Sequence, residues 1–325
     1  MIITRTPLRM SYVGGGTDIG SFYRQYPGAV VSTSIDKYIY VTLHTRFEPG
    51  VRCAYSKTEE VITADKLQHP LVREALDLMG ITSGVEITST ADIPASGSGL
   101  GSSSSYTVGL LRAIAEFLGK PMSPPEIAEL ACDIEIDRCG EPIGKQDQYA
   151  AAVGGMNVYQ FNPDESVNII PVVCSSHFKN VLNESTIIFY TGMTRAASSI
   201  LAEQTENSAK TSKQTALRRM ADMAFEFKAG VEDSDLPLLG ELLIENWSLK
   251  KSLASGIANS EIDEIYSLAM KAGAIGGKLL GAGAGGFMMF LASPDRHSDI
   301  ESALSGYRRV SFRMDELGSQ LIYKD

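Results

Sequence analysis

The spacing of apolar positions predicts alternating strands and helices in the first half of the chain. Residues 28–45 (GAVVSTSIDKYIYVTLHT) are rich in β-branched and aromatic side chains and predict two strands. Residues 85–93 predict another strand, followed by a glycine- and serine-rich loop and an apolar helix at about 103–118. The tetrapeptide SPPE at 123–126 fits a capping box and predicts the start of a second helix.

The second half of the chain is predicted to be mainly helical. A strand near residue 186 (IIFYTG) is followed by long helical patterns at about 196–229, 236–255 and 261–272. A glycine loop then precedes a strand at 287–292 and a final helix–strand pair. This mixed order favours an α+β fold over a doubly wound parallel sheet, with a boundary near residue 180 that separates domains 1–180 and 181–325.

Composition restricts the class of protein. The 325 residues are 44% hydrophobic and 21% charged, which is typical of a soluble globular protein. The longest apolar runs are shorter than the roughly 20 residues needed to cross a bilayer, and the N-terminal residues lack a signal-peptide pattern. We therefore expect a cytoplasmic protein without a membrane partner. The four cysteines show no metal-binding spacing.

The net charge limits the possible partners. A formal charge of −10 argues against binding to nucleic acid or to an anionic membrane. It does not exclude a phosphate ligand, because main-chain N–H groups of a glycine-rich loop bind phosphate even in an acidic protein. We expect a small-molecule ligand, and the sequence leaves a monomer and a homodimer equally open.

The strongest chemical signal is the segment 94–105 (PASGSGLGSSSS), which lies between a predicted strand and a predicted helix. Glycines allow the backbone to approach a ligand closely, and the N-terminus of the following helix favours an anion. A flexible surface linker is the alternative interpretation. The chain has no GxxxxGK[ST] loop, no protein-kinase HRD or DFG motif and no GxGxxG motif.

Two further segments carry glycine clusters. Residues 5–18 (RTPLRMSYVGGGTD) combine arginines, a glycine triplet and an aspartate, which are suited to phosphoryl groups and sugar hydroxyls. Residues 278–287 (KLLGAGAGGF) connect a helix to an apolar strand. Taken alone, the first segment is more typical of a strand followed by a tight turn with surface arginines, and the second is more typical of a tight connection.

Together, the three segments resemble the GHMP kinase superfamily over essentially the whole chain. The resemblance implies an N-terminal domain like the second domain of ribosomal protein S5 and a ferredoxin-like C-terminal domain. It also implies ATP as phosphoryl donor, Mg²⁺ as cofactor and a small-molecule acceptor. RTPLRMSYVGGGTD and GEPIGKQDQYAAAVGG (140–155) are most similar to D-glycero-D-manno-heptose 7-phosphate kinases. Those enzymes phosphorylate the anomeric O1 to give a 1,7-bisphosphate for nucleotide-activated heptose synthesis.

The resemblance implies a role for individual residues. Asp147 matches the base that deprotonates the acceptor hydroxyl, and Arg9 matches the arginine beside it; Ser103 and Glu135 match the magnesium-binding positions. The implied ATP-binding residues are Pro94, Gly97, Gly99, Leu100, Gly101, Ser102, Ser103 and Ser104. The implied substrate-binding residues are Gly14, Gly15, Gly16, Thr17, Asp18, Arg195, Gly283 and Gly285. Arg195 is the first candidate for holding a substrate phosphate, followed by Lys37 and Arg5.

Other interpretations remain open from the sequence. Asp147 is also explained as a helix N-terminal carboxylate and Glu135 as a solvated helix residue. Gly15 and Gly16 replace a Glu-His pair of galactokinases, which is expected to leave more room for the acceptor. L-fucose and galactose kinases of the same superfamily are the alternative enzymes, and a non-catalytic ATP- or sugar-binding regulator is the alternative class. The presence of Asp147, Glu135 and Ser103 favours a kinase.

Overall fold

Two β-sheets and the helices packed on them organise the chain. The computed structural model describes residues 1–93, 98–193, 198–207, 211–283 and 285–325. The strands are β1 (Ile2–Ser11), β2 (Gly28–Thr45), β3 (Val51–Ala54), β4 (Thr58–Val61), β5 (Val85–Ala91), β6 (Met156–Phe161), β7 (Val167–Pro171), β8 (Thr186–Tyr190), β9 (Gly276–Leu279), β10 (Phe287–Leu291), β11 (Arg308–Val310), β12 (Met314–Asp315) and β13 (Gln320–Lys324).

The helices separate and cover these strands. They are α1 (Gly20–Tyr23), α2 (Pro70–Leu78), α3 (Ser102–Phe117), α4 (Pro124–Cys132), α5 (Gln146–Val153), α6 (Ser176–Ser185), α7 (Ser198–Asn207), α8 (Thr211–Glu232), α9 (Leu236–Leu253), α10 (Ser260–Lys271) and α11 (His297–Ala303), with short 3₁₀ turns at Ala64–Lys66 and Pro294–Arg296 and a π-helical turn at Asp133–Arg138. Strands and helices are thus mixed along the chain, as expected for an α+β fold.

The larger sheet is built around β2. It follows the order β13-β1-β2-β5-β3-β4, and β2 also pairs with β6 and β12. The prediction of two strands in this region is wrong, because β2 is one continuous 18-residue strand. The register with β1 shifts after Pro7, so that Asp36 and Lys37 form a bulge between one half of β2 that pairs with β6 and another that pairs with β5.

The smaller sheet has the order β11-β8-β10-β9. Its strand β10 is fully buried, and one hydrophobic cluster contains side chains of both sheets, including Leu8 and Met289. Helix α8 lies between α9 and β2, where Phe227 stacks on Tyr12 with ring centroids 4.9 Å apart. The two sheets and their helices therefore pack around a shared apolar core.

Helix boundaries follow the local sequence signals closely in the first half. Ser123 forms the predicted capping box with Glu126, and α4 starts at the next residue. Within the predicted helical segment at 196–229, the described residues form α7 and α8, while residues 196–197 and 208–210 of that prediction lie outside the described part of the chain.

The C-terminal residues return to the larger sheet. Strand β12 pairs with β2, and β13, which the hydrophobic pattern did not predict, pairs antiparallel with β1. Residue 180 lies within α6, and the division into domains 1–180 and 181–325 stays a prediction. Within the described ranges, no helix has both the length and the apolar character required to span a bilayer.

Candidate active site

Arg9 and Asp147 form the centre of the candidate site. Arg9 lies in β1 and Asp147 in the first turn of α5. The Arg9 Nε and Nη2 atoms donate hydrogen bonds to the two carboxylate oxygens of Asp147 at 2.8 and 2.7 Å. This two-point contact fixes the orientation of both planar groups. The Arg9 side chain is only 4% exposed, whereas that of Asp147 is 23% exposed and remains accessible to a ligand.

The Asp147 carboxyl is largely shielded from solvent. Its burial raises the pKa of the carboxyl above the ordinary aspartate value, while the charge and hydrogen bonds of Arg9 oppose the shift. The burial contribution is the larger one, so Arg9 orients the carboxylate without suppressing its basicity completely. The alternative of a simple helix-terminal carboxylate accounts for the position of Asp147 but not for this buried two-point pair.

Arg9 also connects this pair to the glycine/serine segment. Its main-chain N–H donates to the carbonyl of Leu100 at 3.1 Å, and its Nη1 donates to the carbonyl of Gly99 at 2.8 Å. A Cβ atom on Gly101 would lie 3.3 Å from Asp147 Oδ2. The start of the segment that leads into α3 is therefore in direct contact with the Arg9–Asp147 pair.

The segment has the geometry of an anion site. Gly101 adopts the left-handed conformation (φ 74°) and caps the N-terminus of α3. Helix α3 starts at Ser102, so the N–H groups of its first turn and its dipole face the segment. Ser103 is exposed, whereas Ser104 is buried. Two predicted ATP-binding residues, Pro94 and Gly97, lie outside the described residues.

The glycine segment at 278–287 packs directly against the glycine/serine segment that leads into α3. A Cβ atom on Gly99 would lie 2.4 Å from the carbonyl oxygen of Leu280, and one on Gly281 would lie 2.5 Å from Gly99 Cα. Side chains at these two positions would prevent this backbone-to-backbone contact. Gly283 and Gly285 face the backbone of Ile257 and Met193 instead. The 278–287 segment therefore supports the phosphate loop from the C-terminal half of the chain.

Glu135 is the candidate magnesium ligand. It lies in the π-helical turn, a feature often found at functional sites, and it is fully buried. Its carboxylate accepts hydrogen bonds from Ser103 Oγ at 2.8 Å and from Gln148 Nε2 at 2.6 Å. The interpretation of Glu135 as a solvated residue is wrong.

Burial raises the pKa of Glu135 to about 7, and hydrogen bonds from Ser103, Ser104 and Gln148 oppose that shift. An acid held in this way gains from a nearby cation. The described residues contain no group of three or more His, Cys, Asp or Glu side chains able to hold a metal ion. One carboxylate with a hydroxyl fits Mg²⁺, which takes most of its remaining ligands from water and substrate phosphates.

The glycine triplet Gly14–Gly16 forms a buried turn after β1. Asp18 is 2% exposed, and its Oδ1 accepts the N–H of Gly16 at 2.9 Å while its Oδ2 accepts the N–H of Gln146 at 3.3 Å. Asp18 thereby joins this turn to the residue that precedes Asp147. The hydroxyl of Thr17 instead contacts the backbone of Ala29 at 3.0 Å and anchors the turn on β2.

Two buried lysines beside this turn were missed by the sequence reasoning. Lys250 is 7% exposed and donates to the carbonyl of Gly15 at 3.1 Å; Lys278 is 4% exposed and donates to the carbonyl of Ser11 at 2.9 Å. Burial lowers the pKa of Lys250 to about 8 and that of Lys278 to about 7. The only available signal was local, since Lys278 stands within the otherwise small and apolar run GGKLL.

The cationic residues proposed from the sequence lie elsewhere. Arg195 is outside the described residues. Arg5 donates to Gln320 and stacks on the ring of Tyr38, with its guanidinium carbon 4.5 Å from the ring centroid. Lys37 pairs with Asp36 in the β2 bulge. Both side chains therefore have partners outside the Arg9–Asp147 site.

Taken together, these contacts place a carboxylate, an arginine and the N-terminus of a helix around one point. The carboxylate is suited to accept a proton from a hydroxyl, and the arginine and helix N-terminus are suited to a phosphoryl group. Glu135 accepts a hydrogen bond from Gln148, the residue that follows Asp147, and adds a carboxylate that is suited to a cation. This set of groups can position and stabilise a phosphoryl group during transfer.

Comparison with known proteins agrees with this chemistry. The family described as GHMP kinases N terminal domain matches residues 66–155, and GHMP kinases C terminal matches residues 227–308. D-glycero-alpha-D-manno-heptose 7-phosphate kinase of Campylobacter jejuni is 33% identical over 315 residues, which span 93% of this chain and 93% of that protein. Mevalonate kinase of Pyrococcus horikoshii is 29% identical over 285 residues, and this alignment spans 86% of this chain and 76% of that protein.

A solved structure shows the same similarity in three dimensions. The crystal structure of a D-glycero-D-manno-heptose 1-phosphate kinase from Bacteroides thetaiotaomicron superposes with a TM-score of 0.82 at 26% identity, and the match covers 100% of both chains. The family models cover Ser103, Glu135, Asp147 and Lys250, and the fold match extends over the whole chain. The chain belongs to the GHMP kinases and is an ATP-dependent phosphotransferase that acts on a sugar hydroxyl group.

Proposed function

We propose that this enzyme transfers the γ-phosphoryl group of ATP to the anomeric O1 of D-glycero-D-manno-heptose 7-phosphate and forms the 1,7-bisphosphate. The observation that carries the transfer step is the two-point Arg9–Asp147 pair in contact with the phosphate loop at Gly101. The choice of a heptose phosphate is supported by the similarity to the Campylobacter jejuni heptose 7-phosphate kinase.

In the proposed reaction, Asp147 accepts the proton of the acceptor O1 as that oxygen attacks the γ-phosphorus. The bond between the γ-phosphorus and the bridging oxygen breaks, and ADP leaves with that oxygen. Arg9 keeps the Asp147 carboxylate oriented and places positive charge next to the migrating group. An anomeric hydroxyl is more acidic than an ordinary alcohol, so a base weakened by a neighbouring arginine is sufficient.

On the donor side, the phosphates of ATP would bind to the N–H groups of Gly99, Gly101 and the first turn of α3. Ser103 and Glu135 would hold Mg²⁺, whose charge neutralises the β- and γ-phosphates when it is bound. On the acceptor side, the turn from Gly14 to Asp18 would contact the sugar. Positioning and charge stabilisation account for most of the catalysis in such transfers.

The experiment for this proposal is a product analysis. The enzyme is incubated with Mg-ATP and, separately, with D-glycero-D-manno-heptose 7-phosphate, the free heptose, L-fucose and galactose, and the products are identified by phosphorus NMR. We expect a new anomeric phosphate signal with the heptose 7-phosphate. Turnover of L-fucose or galactose without turnover of the heptose 7-phosphate would contradict the proposed acceptor and leave the phosphotransferase activity intact.

A further inference from the structure

Lys250 and Lys278 are buried lysines that form no salt bridge within the described residues, although the charge of Asp18 opposes the lowering of the Lys250 pKa by burial. Neither ammonium forms an ion pair with a carboxylate in the described ranges. Their hydrogen bonds go to neutral acceptors, namely the carbonyls of Gly15 and Ser11 and the side-chain oxygens of Gln204 and Ser11. A buried ammonium is costly unless it is paired, so the two lysines need either a structural or a ligand-binding explanation.

Amide donors without partners lie next to these lysines. The Gln204 side chain accepts from Lys250 through Oε1 at 3.0 Å, and the Asn246 side chain accepts from the N–H of Gly14 through Oδ1 at 3.0 Å. These bonds fix the orientation of both amides. Gln204 Nε2 and Asn246 Nδ2 are then left without a hydrogen-bond partner in the part of the chain that the structure describes, although each side chain is 1% exposed.

The same side chains fill the space beside Gly16. A Cβ atom on Gly16 would lie 2.1 Å from Gln204 Nε2 and 3.2 Å from Lys250 Nζ. The expectation that Gly15 and Gly16 leave more room for the acceptor is therefore wrong at Gly16, because polar groups from α7 and α9 occupy that space. The amino group of Lys250 and the amide of Gln204, both from the C-terminal half, therefore lie next to Gly16.

Three basic side chains, Arg9, Lys250 and Lys278, face the two carboxylates of Asp18 and Asp147 in this region, and the charge of Asp18 opposes the lowering of the Lys250 pKa by burial. Lys278 lies close enough to Lys250 and Arg9 for both cations to lower its pKa further, after burial. Asp147 pairs with Arg9, and Asp18 binds two main-chain N–H groups. An additional anion would satisfy the unpaired ammonium and amide donors together.

Asp18 connects this cationic region to the catalytic base. One carboxylate oxygen of Asp18 accepts the N–H of Gln146, which precedes Asp147 in sequence. The other oxygen accepts the N–H of Gly16, which lies next to Lys250 in space. A sugar whose reacting hydroxyl lies at Asp147 would therefore have Asp18 and Lys250 within the same acceptor region.

We propose that Lys250, Lys278 and Gln204 bind the phosphate group of a phosphorylated acceptor sugar, beside the Gly14–Gly16 turn. This assignment rests on the proposed function, because it takes the acceptor to be a sugar phosphate. Side chains of the C-terminal half would then make the enzyme bind phosphorylated sugars more tightly than free sugars.

The test measures binding of two sugars that differ only in the phosphate. D-glycero-D-manno-heptose 7-phosphate and the free heptose are titrated by calorimetry into the protein saturated with Mg²⁺ and a non-hydrolysable ATP analogue. For Lys250→Met and for Lys278→Met, we expect binding of the phosphorylated sugar to weaken about 10- to 100-fold, as for loss of a charged hydrogen bond. Binding of the free heptose should change by less than about threefold.

Three variants serve as controls. Lys251→Met changes the adjacent lysine, whose side chain is 37% exposed and pairs with Asp263, and should leave both affinities unchanged. Lys250→Arg keeps the charge and should retain most of the preference for the phosphorylated sugar. Gln204→Met removes only the amide and should weaken binding of the phosphorylated sugar about 2- to 10-fold, which tests the site even where Lys250→Met does not fold.

Several results would overturn the assignment. Equal weakening of both sugars in Lys250→Met would show that the lysine only supports the glycine turn, and unchanged binding would remove its role. Equal affinity of the wild-type protein for the two sugars would exclude a phosphate site of any kind. That last result would leave the proposed reaction standing if phosphorus NMR still detects the anomeric phosphate, whereas absence of that product with intact selective binding would contradict only the reaction.

Discussion

The donor side and the acceptor side of this active site are built in different ways. On the donor side, the phosphate loop and α3 are contiguous in sequence, and Ser103 contacts Glu135 only 32 positions away. On the acceptor side, the glycine turn at Gly14–Gly16 is completed by Lys250, which contacts Gly15 across 235 positions. The loop and helix of the proposed donor side are therefore contiguous in sequence, with supporting contacts from Leu280 and Gly281, whereas the proposed acceptor side is assembled from distant segments.

This difference explains how a common phosphoryl donor and varied acceptors fit one scaffold. Glycines and a helix N-terminus bind phosphate through main-chain groups, which do not depend on side-chain identity. The proposed acceptor side uses side chains from α7, α9 and β9, whose substitution we expect to leave the glycine/serine loop in place. Changes on the two sides should therefore have separable effects, and the following predictions test that separation.

The largest effect is expected for Asp147→Asn. This change removes the base but preserves the shape of the side chain, so kcat should fall by at least about 100-fold. Binding of the ATP analogue should stay within about threefold of wild type, because the phosphate contacts are main-chain groups. Steady-state kinetics and calorimetry measure the two quantities. Asp137→Asn, an exposed carboxylate on the π-helical turn, is the matched control, and near-normal turnover of Asp147→Asn would exclude Asp147 as the base.

A smaller loss is expected for Arg9→Lys. Lysine keeps the charge but cannot make the two-point contact with Asp147 and the bond to Gly99 together. We expect kcat/KM to fall about 10- to 100-fold as the base and the loop lose their common anchor. Arg5→Lys, on the same strand, should be close to wild type in the same assay. Equal losses in the two variants would indicate a general effect on β1.

The pH dependence of magnesium binding tests the donor side specifically. Because the pKa of Glu135 is raised to about 7, its carboxyl is mostly protonated at pH 6 and must release a proton to bind the cation. Apparent Mg²⁺ affinity, measured with the ATP analogue present, should therefore rise about tenfold from pH 6 to pH 8. Glu135→Gln cannot titrate and reports the pH dependence of the nucleotide alone. An identical pH profile in both proteins would remove Glu135 from the metal site.

The contact between the two glycine segments should give the smallest measured difference. Gly281→Ala introduces a Cβ atom against Gly99 in a left-handed backbone conformation (φ 82°). Gly119→Ala is a matched control, since Gly119 has a similar φ of 65° but open space around it. We expect Gly281→Ala to lower the free energy of unfolding by about 1 kcal/mol or more beyond the control. Equal destabilisation in denaturant unfolding would mean that the two segments do not support each other.

Sequence patterns predicted the donor side better than the acceptor side for a physical reason. The capping box at Ser123 and the helix after the glycine/serine loop depend on neighbouring residues, and both were located within a residue or two. The continuity of β2 across its bulge and the pairing of β13 with β1 depend on distant partners. Lys250 could not be assigned from its position because its burial results from the turn at Gly14–Gly16, far away in sequence.

The most direct test of the separation between the two sides is a crossed titration by calorimetry. Glu135→Gln and Lys250→Met are each titrated with the ATP analogue in the presence of Mg²⁺ and with the heptose 7-phosphate. We expect Glu135→Gln to weaken nucleotide binding and to leave sugar-phosphate binding within about threefold of wild type, and Lys250→Met to do the reverse. Loss of both ligands in either folded variant would contradict this expectation.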